Sequence, residues 1–266
     1  MPISNFTDGF FIYDNLVYFY YFISVSIMDS AENIQQWLGQ IEAGDVLELA
    51  AGSGKFTSWI TRVLKHFRSW TYTDPDESTL NKAREMFTDQ RFSFVRTKAE
   101  QLPFPNASFH TVIISRGLHH LSNLSGAIYE MIRVLKTEGI LIVHEMHADV
   151  FNEAQRNRYL WHHFRIELDQ ELGREHEPVF TRNELFGIFR SFPLLTVAQF
   201  EYIPPDSFDP EERKREYEQD ILRLDSPAMQ KIFSEKLHHL FIRTKELGVE
   251  NQPYLFLSFR KNNARH

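Results

Sequence analysis

The sequence predicts an α/β fold, a doubly wound, mostly parallel sheet of seven strands with helices on both faces. Three observations carry that prediction. A strand-type run, Val46-Leu47-Glu48-Leu49, passes through two glycines one residue apart, Gly52 and Gly54, straight into an apolar-periodic helical segment. Short apolar runs then alternate with amphipathic stretches as far as residue 145, the rhythm of parallel strands joined by right-handed crossover helices. The residues that follow the strand ends, Gly52, Asp74, Ala99 and Ser115-Arg116, therefore converge on one crevice, because ligands of such sheets bind outside the carboxyl ends of the strands.

The glycine loop is the first element to justify. Glycine serves where the backbone takes positive φ or where a ligand lies against it. A helix starting near Ser53 aims its free N–H groups over the turn. The loop is not a phosphate-binding P-loop, since Gly-Lys-Ser/Thr after four spacers is absent. Nor is it a complete dinucleotide fingerprint, whose third glycine would fall at Thr57.

The remaining elements follow in order. Asp29 or Ser30 caps a helix whose face is Ile34, Trp37, Leu38 and Ile41, and Gly44 ends it. After the strand at 46–49 comes a helix at 54–66, a strand at 68–73 ending at Asp74, and a helix from Glu77 or Ser78 to Phe87. Strands at 92–96, 111–115 and 140–145 and a helix at 124–135 complete the alternation. A helix at 152–172 follows, then one opened by Thr181 with Glu184 three residues on, a capping box. A strand at 195–203 is broken by Pro204-Pro205, helices cover 210–224 and 227–246, and a last strand covers 254–259. No internal repeat or linker divides the chain. The expected organisation is a single domain, 1–266, made of an aromatic helical cap at 1–43, a cofactor-binding core at 44–146 and helical inserts at 147–180 and 204–250.

Composition narrows the function classes. The chain has 266 residues, 42% of them hydrophobic, enough for a sizeable core. Its 24 Phe point to a bulky core and an aromatic-lined pocket. A net charge of -7 without a long basic run argues against nucleic acid as partner. With no Cys, disulfides, thiolate nucleophiles and Cys-ligated zinc are excluded. The apolar stretch at 16–28 is shorter than the ~20 residues of a spanning helix, so no stable membrane insertion is expected. No basic segment precedes an apolar run at the N-terminus, and a cytoplasmic location is expected.

Several motifs in order resemble class I S-adenosylmethionine-dependent methyltransferases, and among them the group similar to quinone-biosynthesis methyltransferases. The residues that carry the resemblance are Val46 to Gly54, Tyr72-Thr73-Asp74-Pro75, Ala99 to Pro105, Ser108-Phe109, Gly117 to Leu121 and Arg133 to Lys136, spread over about residues 44–146. The resemblance implies a Rossmann-like methyltransferase fold with strand seven antiparallel, and S-adenosylmethionine as cofactor. It implies that Glu48, Ala50 and Gly52 lie near the methionyl part and that Gly54 permits close backbone approach. Asp74 would accept the ribose hydroxyls, Pro75 would bound the adenine, and Ala99 and Glu100 would lie at the adenine edge. Ser115, Arg116 and Gly117 would line the floor near the reactive methyl. Three positions depart from the family pattern. Lys98 replaces an Asp and cannot accept from the adenine amino group, while His110 and Thr137-Glu138 replace an Asp and Pro-Gly in structural turns.

The acceptor side is read from the histidines and the inserts. His119 and His120 follow the fourth strand, next to the expected methyl position, and either can serve as base or orient the acceptor. His147 and Glu145 share a face of the fifth strand and point to the pocket. The inserts and the aromatic N-terminus, Tyr13 within it, form a lid that suits a small organic acceptor, methylated at oxygen or nitrogen. Arg116 or Arg165 can bind its carboxylate. His163 and Glu167, spaced i, i+4, could join His147, Asp169 or His176 in an N/O metal site; helix-surface pairing explains that spacing equally, and no metal is expected. The aromatic N-terminus serves equally as a homodimer contact. Two other readings stay open: a nicotinamide-dependent oxidoreductase and a non-catalytic S-adenosylmethionine-binding protein.

Overall fold

The structure is a computed structural model and describes residues 31–64, 66–205 and 208–261. Residues 1–30 of the aromatic cap, Tyr13 among them, and with them the expected copy-to-copy contact, lie outside the described residues. Seven strands form one sheet in the order β3-β2-β1-β4-β5-β7-β6. They are β1 (Gly44–Leu49), β2 (Phe67–Asp74), β3 (Phe92–Arg96), β4 (Phe109–Ser115), β5 (Leu135–Met146), β6 (Leu194–Tyr202) and β7 (Tyr254–Lys261). The first five pair in parallel, and β7 runs antiparallel to both β5 and β6. The order reverses between β1 and β4, which opens a crevice at their carboxyl ends.

The helices are α1 (Ala31–Leu38), α2 (Lys55–Val63), α3 (Glu77–Met86), α4 (Leu124–Val134), α5 (Glu153–Glu171), α6 (Arg182–Arg190), α7 (Pro210–Ile221) and α8 (Pro227–Leu247). Local chemistry starts them where the sequence indicates. Thr181 and Glu184 form the capping box of α6, and Asp76 caps α3 by accepting from the Ser78 N–H. Pro210 and Pro227 sit in the first turns of α7 and α8. The largest boundary difference is at β5. β5 begins at Leu135, which pairs with Phe109 before a shift in register, with Glu138 at φ 60°. The segment read as a turn is thus an irregular strand start.

The strands bury their apolar side chains on both faces. One cluster packs around Leu47, Leu49, Val112 and Ile114, the other around Val46, Trp70, Tyr72 and Ile113. Alternation along β1 and β4 sends successive residues to opposite layers. A third apolar cluster belongs to the inserts, where Trp161, Phe164 and Leu168 of α5 meet Tyr217 and Ile221 of α7 and Phe233 and Leu237 of α8. The buried Trp161 indole N–H donates to Thr244 Oγ1 at 2.9 Å. The inserts therefore have a core of their own, and α5 brings its polar side to the mouth of the crevice. Among the described residues, no helix is long and apolar enough to cross a membrane.

Candidate active site

The glycine loop owes its shape to left-handed backbone at Ala50, Gly52 and Gly54, with φ of 48°, 60° and 73°. A side chain at Gly54 would also meet Phe87 Cε2 at 2.9 Å, so this position has both a conformational and a packing reason to be glycine. Asp74 ties the loop to β2. Its Oδ2 accepts the Gly52 N–H at 3.0 Å and its Oδ1 accepts the Asp76 N–H at 2.9 Å. The Tyr72 hydroxyl donates to the Gly52 carbonyl at 2.6 Å. Burial raises the Asp74 pKa against the lowering effect of those two N–H groups.

A crevice of about 470 Å³ opens over this loop, within the roughly 300–1,000 Å³ typical of small-molecule sites. Ala50, Gly52, Asp74 and Pro75 form its loop side, and Ser115, Arg116 and Gly117 its floor. His119 and His120 stand on its wall, and Arg158, His162, Arg165, Arg213 and Tyr217 close it from the inserts. The donor set fits a nucleoside-type cofactor. A carboxylate offers about four lone-pair positions, so Asp74 keeps acceptor capacity beyond its two backbone bonds. Ser115 is fixed by a 2.8 Å hydrogen bond between its Oγ and His144 Nδ1, and His144 in turn contacts the Tyr202 hydroxyl at 2.9 Å and stacks on Phe56.

Six of the expected residues do not line the crevice. Gly54 lies under it, against Phe87. Ala99 is buried in the core, and Glu100 accepts from Ser122 Oγ at 3.3 Å near the start of α4. His147 is fully buried between Asp149 Oδ2 at 3.2 Å and Glu201 Oε1 at 3.1 Å, on the side of the sheet that carries α6. Its backbone N–H donates to the Pro253 carbonyl, so β7 claims the end of β5. His163 pairs with Glu167 at 3.5 Å on the surface of α5, the helix-surface alternative.

Glu48 is the sixth, and its placement changes its role. The carboxylate is completely buried below the loop, accepting from Thr57 Oγ1 at 2.9 and 3.0 Å and from the Trp70 indole at 2.8 Å. It fastens α2 to β1 and β2 instead of touching the crevice. Burial pushes its pKa up to about 7, with the bonds from Thr57 and Trp70 working the other way. A carboxyl whose pKa is raised in the fold favours folding fully below its unfolded value of 4.5, and that contribution is lost as pH rises through about 7. Glu48→Gln keeps the shape without the ionisation. The variant is expected to gain on the wild type as pH rises from about 5 to 8, by on the order of 3 kcal/mol at the upper end. Denaturant titrations of both proteins at the two pH values check this; parallel stability profiles would contradict it.

Sequence reasoning named Arg165 on α5 but missed Arg158 and His162 as its partners on the crevice. Arg158, His162 and Arg165 are spaced i, i+4, i+7 and so share one stripe, which flanks the Trp161, Phe164 and Leu168 face that packs inward. The stripe is legible once the apolar face is set. His176, named above only as a possible partner of His163 and Glu167, instead meets His119, brought there by the tertiary fold through the 2.9 Å bond from the Glu177 N–H to the His119 carbonyl. Packing against the ring, with His119 and His176 beside it, lowers the His120 pKa to about 3, although the residue keeps an exposed edge.

Comparison with known proteins agrees with this architecture. Residues 47–143 match the family model described as Methyltransferase domain. Two relatives named "Ubiquinone/menaquinone biosynthesis C-methyltransferase UbiE" align with the core: that of Shewanella pealeana is 34% identical over 125 residues, 46% of this chain and 49% of the relative. That of Proteus mirabilis is 31% identical over 153 residues, 47% of this chain and 61% of the relative. The chain thus spans about half to three-fifths of the length of these relatives. A Bacillus halodurans C-125 protein assigned as a methyltransferase superposes with a TM-score of 0.61 at 17% identity, over 88% of this chain and 100% of the other. The YcgJ protein of Bacillus subtilis gives 0.57 at 15% identity, over 88% and 98%; both likenesses concern the fold. The strand order with β7 reversed, the glycine loop and Asp74 in one crevice define a class I methyltransferase fold. Residues 47–143 thus match a methyltransferase domain and are similar in sequence to the quinone-biosynthesis methyltransferases; the cofactor of the class I methyltransferases is S-adenosylmethionine.

Proposed function

We propose that this protein transfers a methyl group from S-adenosylmethionine to a small organic acceptor, at oxygen or nitrogen, held under the helical inserts. The observation that supports this most is the meeting of the Asp74–Gly52 loop and the His119–His120 wall in one crevice at the carboxyl ends of β1, β2 and β4. When bound, the cofactor supplies a methyl carbon on a sulfonium; the acceptor's lone pair takes that carbon while the carbon–sulfur electron pair returns to sulfur. The chain's own part is mainly positioning, which contributes up to ~7–11 kcal/mol in well-oriented reactions. Asp74 and the loop hold the nucleoside end, and Ser115 and Gly117 set the floor. Arg116, exposed on that floor, binds an acidic group of the acceptor. His119 and His120 face the acceptor and steer the proton it sheds. The acidic net charge of -7 supports a small molecule over nucleic acid.

A second reading places the new bond on carbon, as the printed names of the relatives say of those proteins. Incubation with methyl-labelled S-adenosylmethionine and a panel of phenolic, carboxylic and amine acceptors separates the readings, with mass spectrometry locating the label. Labelled O- or N-methyl product is expected. Label on carbon favours the second reading. Cofactor binding without any demethylated cofactor formed across the panel favours a non-catalytic binding protein, and an absorbance change with nicotinamide cofactors favours an oxidoreductase.

A further inference from the structure

Four imidazoles from three separate segments meet at the acceptor end of the crevice. His119 and His120 lie in the turn after β4, His162 on α5 and His176 in the segment before α6. Ring centroids are 4.3 Å apart for His119–His120 and for His120–His176, 5.2 Å for His119–His162 and 5.3 Å for His162–His176. One nitrogen each of His119, His120 and His176 lies within 4.8 Å of those of the other two. Among the described residues, none hydrogen-bonds His119 Nδ1, His162 Nε2 or His176 Nε2, although these atoms are buried. His119 is 1% exposed and His176 4%. A buried, unpartnered ring nitrogen is costly, and here His162 and His176 each carry one on rings that meet, while His119 Nδ1 faces the Glu145 carboxylate.

The far sides of the rings are anchored. His176 Nδ1 contacts Asp169 Oδ2 at 2.9 Å, leaving Nε2 as the free lone pair. Asp169 is itself held by Arg165 at 2.6 and 2.8 Å and by Arg174 at 2.7 Å. His120 hydrogen-bonds the Glu175 carbonyl. Glu145 lies beneath His119, its Oε1 3.3 Å from Nδ1 but outside hydrogen-bond geometry, and its carboxylate accepts the Leu118 and Met146 N–H groups at 3.1 and 3.2 Å. His176, braced by a carboxylate on Nδ1 and bare on Nε2, has the arrangement of a metal-ligating histidine.

We propose that His119, His120 and His176 form a binding site for a divalent transition-metal ion of the zinc type, with His162 beside its open position. An all-imidazole set suits zinc, cobalt, nickel or iron and not the oxygen-seeking magnesium or calcium. Metal–nitrogen bonds of ~2.0–2.1 Å put tetrahedral ligands about 3.3 Å apart, so loading draws the rings together by roughly an ångström or more from the widest 4.8 Å separation. Three histidines with an open fourth place are a ligand set that polarises a bound oxygen or nitrogen. Its use on the acceptor, where coordination would replace a free histidine base, rests on the methyl-transfer reading; the binding of the ion does not.

The test uses the full chain, stripped with chelator and titrated with Zn²⁺ and with Co²⁺. Expected are one ion bound per chain and an intense visible Co²⁺ spectrum of low coordination number. His176→Ala should weaken binding by at least ~10-fold, while His163→Ala, one residue from His162 but outside the cluster, should leave stoichiometry and affinity unchanged. S-adenosylmethionine affinity, measured on the same samples, monitors the fold. Absence of stoichiometric binding by the wild type, or equal affinity in the wild type and folded His176→Ala, would overturn the inference and leave the methyl-transfer reading intact. Metal binding with no methyl transfer would instead count against that reading alone.

Discussion

Asp74→Ala is expected to weaken S-adenosylmethionine binding by roughly 10- to 100-fold, the equivalent of one charge-assisted hydrogen bond of ~1.5–3 kcal/mol. Two losses contribute. The variant removes the acceptor that faces the crevice, and it releases the Gly52 and Asp76 N–H groups that the carboxylate holds at 3.0 and 2.9 Å. Asp74→Asn keeps one carbonyl oxygen and should fall between the variant and the wild type. Calorimetric titration reads the affinity, and thermal melting shows whether the fold survives. Unchanged affinity in a folded Asp74→Ala protein would remove Asp74 from the site.

Trp161→Ala should act on the other half of the crevice. Trp161 is fully buried, donates to Thr244 and packs against Phe208 and Tyr217, at ring-centroid distances of 5.4 and 5.8 Å. Truncating a buried tryptophan costs about 3–5 kcal/mol. Most of that loss should fall on the insert cluster, because Trp161 belongs to the core shared by α5, α7 and α8 and not to the two sheet clusters. The expected outcome is a lower melting temperature and rapid proteolysis within α5 to α8, with cofactor affinity reduced far less than in Asp74→Ala. An unchanged melting temperature would contradict the role given to this cluster.

The contrast between the two halves explains how far the sequence could be read. The sheet was legible because its signals are local. Apolar runs such as Thr111 to Ser115 are core strands, Thr181 with Glu184 announces a helix start, and each strand carries its ligand-facing residue at its own end. Asp74, Ser115 and Arg116 consequently line the crevice as expected. The acceptor side depends on how distant segments dock. Alternation along β5 points His147 to the pocket, yet the end of that strand is claimed by the segment entering β7, and the ring faces Glu201. His163 was chosen on α5 where its neighbour His162 points inward, a matter of one residue, or about 100° of helical phase. Glu48 was placed by resemblance, and only packing reveals that both its oxygens are used by Thr57 and Trp70. His176 carries no local signal at all; its place follows from the contact between residues 119 and 177.

The dense apolar packing of Leu49 and Ile114 behind the loop also bears on the site. Rigid strands fix the carboxyl ends that present Gly52 and Ser115, so the nucleoside side is preformed. The inserts' side of the crevice hangs on α5 and α7, docked by the Arg165–Asp220 ion pair at 2.6 Å, with Arg165 also held by Asp169 within α5. On the proposed reading, acceptor specificity resides in the inserts and cofactor specificity in the sheet.

The central claim is that this crevice takes S-adenosylmethionine. Calorimetric titration of the wild-type protein with S-adenosylmethionine, its demethylated product and a nicotinamide dinucleotide tests it most directly. Saturable one-to-one binding of the methionine-derived pair, and none of the dinucleotide, is the predicted result. Binding of the dinucleotide alone, or of none of the three, would contradict it.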